Sequence, residues 1–389
     1  RRFNPAPRYH FISMVIKKYL QKVFKKISYN FFLKIYGSIN SSIKYNEDDR
    51  IKVKTINPGD EINYRVYKIS NGRLYTDRIH DTAAILDDKI IEGPSFQIRY
   101  ETDFTQRYSK INDNIVFSKG TPRIARNLNG KVLSLLTGGG GNNNYWHWLY
   151  DVLPRIDLCS KFVNLDEIDF FLLPSLKRKF QKETLDCLNI PEHKRISSEK
   201  YRHIRTKELI VTDHPVVITG NATNDILNIP YWISLWLKKK FLISNSNNNK
   251  NKIFIDRNDK TTNGQQYRSI SNDDEIKKYL LKNNFNIVKL QNIHFTEQVN
   301  LFQNAECVVG LHGGGFGNIS FCKPNTKIIE LRSKGAGNAI KNLATKNKLN
   351  YNSIVVESIK EEIPSYSMHA HQDGRIHVPL DKLIKIMEG

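Results

Sequence analysis

Cysteine, acidic side chains and long apolar runs are the features that this sequence has least of. Four cysteines occur in 389 residues, and none lies in a C-x-x-C pair or in a Cys/His spacing that suits zinc. Their neighbours are apolar, so we expect buried free thiols, which fit a reducing compartment. No stretch approaches the roughly 20 apolar residues of a membrane-spanning helix. These shortages argue against a structural zinc site and against a spanning helix.

The shortage of acidic side chains leaves the chain strongly basic. Lysine and arginine number 60 against 39 aspartates and glutamates, which gives a net charge of +21. Such a charge favours phosphorylated substrates, an anionic membrane face or nucleic acid. No nucleic-acid-binding motif is recognisable and scattered lysines also serve solubility, so we expect no nucleic acid partner.

The N-terminal segment combines apolar and basic side chains at helical spacing. The first methionine is Met14, and we interpret residues 1–13 as a tail added for expression. Residues 14–45 are predicted to be a basic amphipathic helix region, with lysines opposite one apolar face, which comprises Ile16, Leu20, Val23, Phe24, Ile27 and Phe31. Such a helix either lies on an anionic bilayer or packs on the protein with its basic face in water. We predict a cytoplasmic protein, with peripheral membrane contact through residues 14–36 on the first interpretation.

The rest of the chain is predicted to form two domains, residues 46–245 and 246–389, because 389 residues exceed one ordinary core. Short alternating runs between residues 50 and 130 predict strands in hairpins. From Lys131 onward apolar runs alternate with amphipathic segments, and this alternation restarts after the polar segment SNSNNNKN. Alternation of strand and helix predicts parallel sheets covered by helices. The expected fold class is therefore α/β, with a strand-rich N-terminal extension and a cleft between two units.

A glycine-rich loop, HGGGFGN, follows the apolar run CVVGL and extends from His312 to Asn318. Ligands of parallel sheets bind beyond the carboxyl ends of the strands, and glycine lets a backbone approach a ligand closely. A helix that begins near Phe316 would direct its N–H groups at the loop and favour an anion such as pyrophosphate. The alternative is a tight turn, since the pattern is neither a P-loop nor a dinucleotide fingerprint.

Three charged side chains are expected at the same edge of the sheet. Arg257 and Arg268 lie in a polar loop after the strand KIFIDR, and either guanidinium can clamp a phosphate through two hydrogen bonds. Glu330 ends the strand KIIEL and can accept hydrogen bonds from a ribose. Solvated arginines and a structural ion pair of the glutamate are the alternatives.

An earlier glycine-rich stretch precedes the segment YWHWLYDVLPR. If a helix begins near Tyr145, then His147, Asp151 and Arg155 share one face at i, i+4 and i+8. A carboxylate beside an imidazole is a workable general base, although such pairs are also common structural features. Pro154 is expected to kink the turn that contains Arg155.

Two blocks resemble glycosyltransferase family 61. The first, NYWHWLYDVLPRI, is similar to the family's H-[FW]-x-x-D-x-L-P-R. The second, FTEQVNLFQNAECVVGLHGGGFGNISFCKPNTKIIEL, is similar to a family pattern that contains V-x-G-x-H-G-A-G-x-x-N, with Gly314 where alanine is usual. Together with IFIDR…DDEI, the resemblance covers roughly Val132 to Leu331.

The resemblance implies a GT-B architecture, in which two Rossmann-like domains face a cleft and the C-terminal one holds most of the nucleotide sugar. It also implies inverting transfer without a bound metal, and the chain has no D-x-D triplet. No cofactor is expected beyond the co-substrate, a nucleotide sugar that is expected to be UDP-linked. The expected acceptor is a hydroxyl of a glycan, a glycoprotein or a lipid-linked sugar.

Roles follow from the resemblance together with the chemistry of each block. We predict Asp151 as the base, with His147 orienting or replacing it. The donor phosphates are assigned to Arg257, Arg268, His312, Gly313, Gly314, Gly315, Asn318 and Glu330. The acceptor side is assigned to Gly140, Gly141, Asn144, Trp146 and Arg155. Two alternatives remain: transfer of another group, such as pyruvyl, to a polysaccharide, and a non-catalytic sugar-binding scaffold of the same fold.

Overall fold

The architecture is taken from a computed structural model of the chain. It describes all residues except 1–5, 79–80, 96–97, 101–105, 109–110, 137–142, 220, 245–249, 258–267, 360–373 and 389. Gly140, Gly141 and most of the polar segment at 244–251 therefore lie outside the described residues. An α/β fold with multi-stranded sheets, as expected from the sequence, is confirmed.

The described elements follow the predicted alternation. The strands are β1 (Ser41–Ile43), β2 (Ile51–Ile56), β3 (Tyr64–Ser70), β4 (Arg73–Arg78), β5 (Asp81–Leu86), β6 (Lys89–Ile91), β7 (Ile98–Tyr100), β8 (Gln106–Tyr108), β9 (Arg126–Ser134), β10 (Phe170–Leu173), β11 (Arg195–Ser197), β12 (His203–Thr212), β13 (Asn251–Ile255), β14 (Arg268–Ile270), β15 (Phe285–Val288), β16 (Ala305–Leu311), β17 (Lys327–Ser333), β18 (Asn350–Val356), β19 (Ser358–Ile359) and β20 (Gly374–Ile376). The α-helices are α1 (Ala6–Tyr36), α2 (Ile115–Lys119), α3 (Tyr145–His147), α4 (Pro154–Ser160), α5 (Lys179–Cys187), α6 (Ala222–Leu227), α7 (Tyr231–Phe241), α8 (Asp273–Lys282), α9 (Phe295–Gln303), α10 (Ala339–Lys346) and α11 (Leu380–Glu388).

The N-terminal half is built on a mixed sheet that has ten strands within the described residues. Its hairpin strands β2 to β6 and its parallel strands β9 to β12 belong to this same sheet, because β12 pairs with β9 on one side and with β3 and β4 on the other. The strand-rich N-terminal segment is thus continuous with the α/β part rather than an extension beside it.

The C-terminal half is built on a parallel sheet, described with five strands in the order β15-β13-β16-β17-β18. The strand β16 is apolar and buried on both faces, as expected when helices cover both sides of a parallel sheet. The strand order reverses between β13 and β16, and in open α/β sheets such a reversal opens a crevice at the carboxyl ends of the two strands. The loops after β13 and β16 carry Arg257 and His312.

The two sheets share one packed core. A single cluster of buried apolar side chains includes Leu133 and Ile210 from the mixed sheet and Val308 and Ile328 from the parallel sheet. Helices α7, α9 and α10 and the 3₁₀ helix Gly314–Phe321 pack between them. The short helices around the glycine-rich turn therefore join the two halves of the molecule.

Helix α1 departs from the sequence prediction at its start. It begins at Ala6 rather than at Met14, so much of the segment that we interpreted as an added tail is helical. Near its end Tyr29, Phe32, Leu33 and Tyr36 are half-buried, whereas the apolar side chains Leu20, Phe24, Ile27 and Phe31 are exposed. The predicted apolar face therefore does not pack on the protein from Leu20 to Phe31, the part of it whose side chains are described.

Candidate active site

The glycine-rich turn leaves β16 at the reversal point of the parallel sheet. His312 N donates to the carbonyl of Leu331, which holds the first residue of the turn against the end of β17. A 3₁₀ helix then begins at Gly314, whereas the sequence predicted a helix from about Phe316. The first N–H groups of a helix have no partner within it, and in this helix they belong to Gly314 and Gly315, inside the turn.

Two arginines converge on the same carbonyl of this turn. Arg257 Nη1 donates to His312 O at 2.5 Å, and Arg268 Nη1 donates to it at 3.3 Å. Arg257 lies against Gly313, where an added Cβ would be only 2.1 Å from Nη1. The φ of Gly313 is 163°, an extended value open to any residue, so glycine is needed there for space rather than for backbone conformation. The structure thus brings two guanidinium groups and a glycine backbone together, as predicted.

His312 and Glu330 form a buried pair behind the turn. His312 Nδ1 donates to Glu330 Oε1, and Tyr351 OH donates to Glu330 Oε2. Burial lowers the pKa of His312, although its hydrogen bond to Glu330 and the charge of that carboxylate act in the opposite direction. The imidazole is therefore neutral at pH 7 and presents Nε2 as an acceptor, which suits a hydroxyl better than a phosphate.

The donor-side assignments of Glu330 and Asn318 need correction. Glu330 is fully buried and both of its carboxylate oxygens have protein partners, so its position fits the orientation of His312 rather than contact with a ribose. Asn318 is also fully buried; its Oδ1 accepts from Tyr145 OH at 2.6 Å and its Nδ2 donates to Gln298 at 3.0 Å. Sequence reasoning could not distinguish these internal polar residues from ligand contacts, because both lie within the same motif.

The first block forms a helix interrupted by one wide turn. Helix α3 ends at His147, a π-helical turn covers Trp148–Val152, and α4 begins at Pro154. Leu153 N bonds to Trp148 O five residues back at 3.1 Å. Proline lacks the N–H that a regular helix would need at position 154, so the predicted irregularity takes the form of a π turn. Turns of this kind are frequent at functional sites, and this one carries Asp151.

His147 and Asp151 are in direct contact across this turn. His147 Nδ1 lies 2.6 Å from Asp151 Oδ2, and the side chains are 20% and 5% exposed respectively. Burial acts to lower the pKa of His147, but the charge of Asp151 and its hydrogen bond outweigh burial and raise the pKa. The imidazole is the more accessible partner, while the carboxylate lies behind it.

A second histidine, which the sequence reasoning missed, faces the same carboxylate. His214 follows β12, and its Nε2 lies 4.0 Å from Asp151 Oδ2. Its Nδ1 accepts from the backbone N–H groups of Val216 and Val217, so the proton of the neutral ring is on Nε2. Burial lowers the pKa of His214 to about 3. Its place just after a parallel strand was the signal that could have identified it.

Arg155 and Trp146 were predicted to contact the acceptor, but both side chains are buried inside the protein. Arg155 is 3% exposed; its Nε donates to the carbonyl of Asp151 at 3.0 Å and its Nη1 donates to Thr212 Oγ1 at 3.1 Å. It therefore ties the π turn to the end of β12, and burial lowers its pKa to about 10. Trp146 is 8% exposed and packs on Tyr150 within the shared core. Aromatic side chains of an amphipathic helix usually belong to the core, and this one does.

The two sequence blocks meet at the glycine-rich turn. An added Cβ on Gly314 would lie 3.3 Å from Asn144 Oδ1 and 3.5 Å from Trp146 N. Asn144 Oδ1 also accepts from Trp146 N at 2.9 Å and so caps α3. Tyr150 OH donates to Gly317 O at 2.8 Å, which adds a buried link between the blocks. The helix that carries His147 thus begins beside the turn that carries the arginine pair.

The described residues show neither a metal-binding cluster nor a membrane-spanning helix. No group of three or more His, Cys, Asp or Glu side chains is arranged there to hold a metal ion. None of the described helices has the length and hydropathy of a membrane span.

Comparison with known proteins supports the resemblance seen in the two blocks. The family model described as Glycosyltransferase 61 matches residues 145–329. The match contains His147, Asp151, Arg257 and the glycine-rich turn, and it confirms the predicted family. No curated protein matches the chain. The family match supports glycosyltransferase activity, with a sugar donor and a glycan acceptor in general terms.

Proposed function

We propose that this chain, whose residues 145–329 belong to glycosyltransferase family 61, transfers a sugar from a UDP-sugar to an acceptor hydroxyl with inversion and without a metal ion. The observation that carries the proposal is the convergence of Arg257 and Arg268 on His312 O at the mouth of the glycine-rich turn. Guanidinium pairs next to glycine backbone are well suited to a diphosphate, whose charge grows as it leaves the sugar.

The proposed reaction places the base on the first block. The geometry favours His147 Nε2 as the base, since Nδ1 is held by Asp151 and the ring is the more exposed of the two groups. His147 would take the proton of the acceptor hydroxyl while that oxygen attacks the anomeric carbon and the bond to the diphosphate breaks. Asp151 would stabilise the resulting imidazolium, as the buried carboxylate of a catalytic triad does. This reverses the sequence-based preference for Asp151 itself as the base.

The leaving diphosphate is assigned to the second block. Arg257 and Arg268 would supply the positive charge that a metal supplies in other transferases, and the first N–H groups of the 3₁₀ helix would add hydrogen bonds. His312, neutral and held by Glu330, would accept a hydrogen bond from a hydroxyl of the donor. We include a GT-B architecture in this proposal: the donor and the acceptor would bind to two units that face each other across a cleft.

A panel of nucleotide sugars tests the proposal. The purified protein should slowly hydrolyse one UDP-sugar in the presence of a chelator and release a sugar whose anomeric configuration, followed by proton NMR, is inverted. His147→Gln and Arg257→Gln should abolish this release. Arg126→Gln should not, because Arg126 is an exposed residue of β9.

Two alternatives make different predictions in the same experiments. A pyruvyl-type transferase would not depend on a nucleotide sugar, so UDP would not raise its unfolding temperature. A non-catalytic sugar-binding scaffold would keep its activity in cells when Asp151 is changed to Asn.

We also propose that α1 contacts an anionic bilayer. Along its described side chains a run of apolar residues is exposed to between 38% and 72%, namely Tyr19, Leu20, Val23, Phe24, Ile27, Phe31 and Ile35. Lys22, Lys26 and Lys34 are exposed on the same helix. An apolar stripe with basic flanks matches an interface between acyl chains and anionic headgroups.

A further inference from the structure

A second basic site lies on the mixed sheet, away from the candidate active site. Arg73 on β4 and Arg205 on β12 are directly opposite each other in an antiparallel pair. Opposite side chains in such a pair have Cβ atoms roughly 5 Å apart, and like charges at that distance are destabilising. Thr212, where β12 ends near His214, is seven residues after Arg205, which corresponds to about 23 Å along an extended strand. The arginine pair is therefore distinct from the catalytic apparatus proposed above.

Arg73 is a buried cation with unsatisfied donors. It is 5% exposed, and its Nε and Nη2 have no hydrogen-bond partner among the residues that the structure describes. Burial, and after it the charge of Arg205, lowers the pKa of Arg73 to about 10. A buried charge is costly unless it is paired and hydrogen-bonded. The missing partner of this guanidinium is thus expected to be an anion.

Tyr36 contributes the only aromatic contact that both guanidinium groups share within the described residues. Its ring centroid lies 5.6 Å from Arg73 Cζ and 5.3 Å from Arg205 Cζ. A cation–π contact contributes roughly 0.5–2 kcal/mol and carries no negative charge. It therefore holds the two cations in place without neutralising them.

The arginine pair opens into a cleft of about 500 Å³. Lys207 adds a third cation to its lining. Neutral hydrogen-bonding side chains complete much of it, namely Asn71, Asn127, Asn129 and Thr206. Asp87 also lines the cleft; its carboxylate accepts from Arg50 at 3.3 Å and 2.7 Å, and Arg50 is shared with Asp48. Three cations of the lining thus stand against one carboxylate. The excess of positive charge faces the open space.

We propose that this cleft binds a phosphate-bearing ligand through Arg73 and Arg205. Two guanidinium forks can each donate two hydrogen bonds to one phosphate, and the neighbouring amides and hydroxyl can serve the remaining oxygens. The phosphate belongs either to a free phosphorylated compound or to the headgroup of an anionic lipid. Tyr36 is the last residue of α1, so a membrane-bound α1 would lead directly to this cleft.

Calorimetric titration with inorganic pyrophosphate tests the site in the full chain. The titration uses an Arg257→Gln background, because pyrophosphate is also expected at the glycine-rich turn. Adding Arg205→Gln should weaken the remaining binding at least tenfold. Adding Arg126→Gln should leave it unchanged, since Arg126 does not line the cleft and its guanidinium lies over the ring of Tyr201.

Thermal unfolding gives a second readout that a purely structural arginine would not show. In the Arg257→Gln background and a buffer without multivalent anions, Arg205→Gln should raise the unfolding temperature, because it removes one of two opposed like charges. Pyrophosphate should then no longer raise the unfolding temperature further. A fall in the unfolding temperature of this variant, with pyrophosphate binding intact, would overturn the proposal.

Vesicles distinguish the two sources of phosphate. In a Phe24→Glu/Ile27→Glu background, which weakens the proposed α1 contact, the remaining binding to phosphatidic acid vesicles but not to phosphatidylcholine vesicles should be lost when Arg205→Gln is added. That result, without pyrophosphate binding in solution, would identify a lipid headgroup. Arg205-dependent binding of pyrophosphate in solution would identify a free phosphorylated compound. If neither ligand responds to Arg205→Gln, the site does not exist.

Discussion

At the scale of single residues, exposure decides which member of the His147–Asp151 pair can meet a substrate. The imidazole is 20% exposed and the carboxylate 5% exposed, and the two are joined at 2.6 Å. Behind them, His214 faces the same carboxylate and Arg155 fixes the carbonyl of Asp151. Side chains from α3, from α4 and from the loop after β12 thus surround Asp151, which is the support expected of a group that orients a base.

The pH dependence of the proposed reaction tests this division of roles. Burial acts to lower the pKa of His147, yet Asp151 raises it above its ordinary value of 6.5. A base must be unprotonated, so kcat/KM should rise with pH. The midpoint of this rise, which is the acid limb of the profile, should lie above pH 6.5. In Asp151→Asn the limb should move to lower pH, and kcat/KM should fall by roughly 10²–10⁴-fold, the usual contribution of general base catalysis.

The control for this profile is His147→Gln, which should remove the limb altogether. A limb that stays in place in Asp151→Asn would contradict the assignment of His147 as the base.

The sequence predicted the residue types of this site better than their roles. The spacing of His147 and Asp151 predicted their contact, because residues four apart share a helix face even across a π turn. It could not reveal which residue is buried. Asn318 and Glu330 look like ligand contacts in the motif, but they are internal, and their partners Gln298 and Tyr351 come from other elements. Those long-range contacts depend on packing, which no local pattern encodes.

At the scale of elements, the glycine-rich turn matters because its missing side chains leave space for neighbouring groups. Arg257 occupies the space that a side chain at position 313 would fill. The boundaries of the following helix were misplaced from the sequence by two residues, because a run of glycines gives no helical periodicity. Alternation of strands and helices, by contrast, was readable because each element buries an apolar face.

Gly313→Ala should weaken the affinity for UDP while leaving the protein stable. The new Cβ would displace the guanidinium of Arg257, the mobile end of a long side chain, and the backbone at φ 163° tolerates alanine. Loss of a hydrogen bond to a charged group costs about 1.5–3 kcal/mol, so the Kd should rise roughly 10–150-fold. Calorimetry and thermal unfolding would measure the two quantities.

Gly314→Ala is the matched control for this substitution. Its Cβ would lie 3.3 Å from Asn144 Oδ1, a close but adjustable contact, and alanine is usual there in the family that the block resembles. Equal loss of UDP affinity in both variants would argue against the role of Arg257.

The proposed contact of helix α1 with a membrane can be tested separately. Replacing Phe24 and Ile27 with Glu should weaken binding to vesicles that contain anionic lipid at least tenfold, because both side chains are exposed on the apolar stripe. The matched control is Leu281→Glu on α8, which is 58% exposed and should have no effect. Vesicle sedimentation at low and high salt would check both, and an affinity that the double substitution leaves unchanged would refute the membrane contact of α1.

At the scale of the whole molecule, one hydrophobic core joins the two sheets. Buried histidines make the stability of the folded protein depend on pH. Burial lowers the pKa of His203 to about 4 and that of His214 to about 3. At a pH between these pKa values and the pKa near 6.5 of a histidine in the unfolded chain, the unfolded chain binds more protons than the folded one. The free energy of unfolding should therefore fall as the pH drops below 6.5, by about 1.4 kcal/mol for each unit of pKa difference that is crossed.

Urea titrations between pH 7 and pH 4 would check this dependence. His203→Phe should flatten it, since His203 lies among the rings of Tyr36 and Tyr75 and phenylalanine can occupy that place without a proton. A slope as steep in this variant as in the unaltered chain would show that other groups control the acid response.

The contact between the two halves of the molecule could not be predicted from the sequence. Alternating elements predicted two α/β units, but the shared core and the single sheet that joins β4 to β12 depend on pairings far apart in the chain. The same long-range pairing creates the opposed Arg73 and Arg205, which no local pattern indicated.

A crystal structure of the protein with UDP would test the central claim most directly. The account predicts that the diphosphate contacts Arg257 and Arg268 and lies against the backbone of Gly313 to Gly315, with His147 on the open side of the bound nucleotide. UDP bound elsewhere, or with its phosphates away from both arginines, would contradict it.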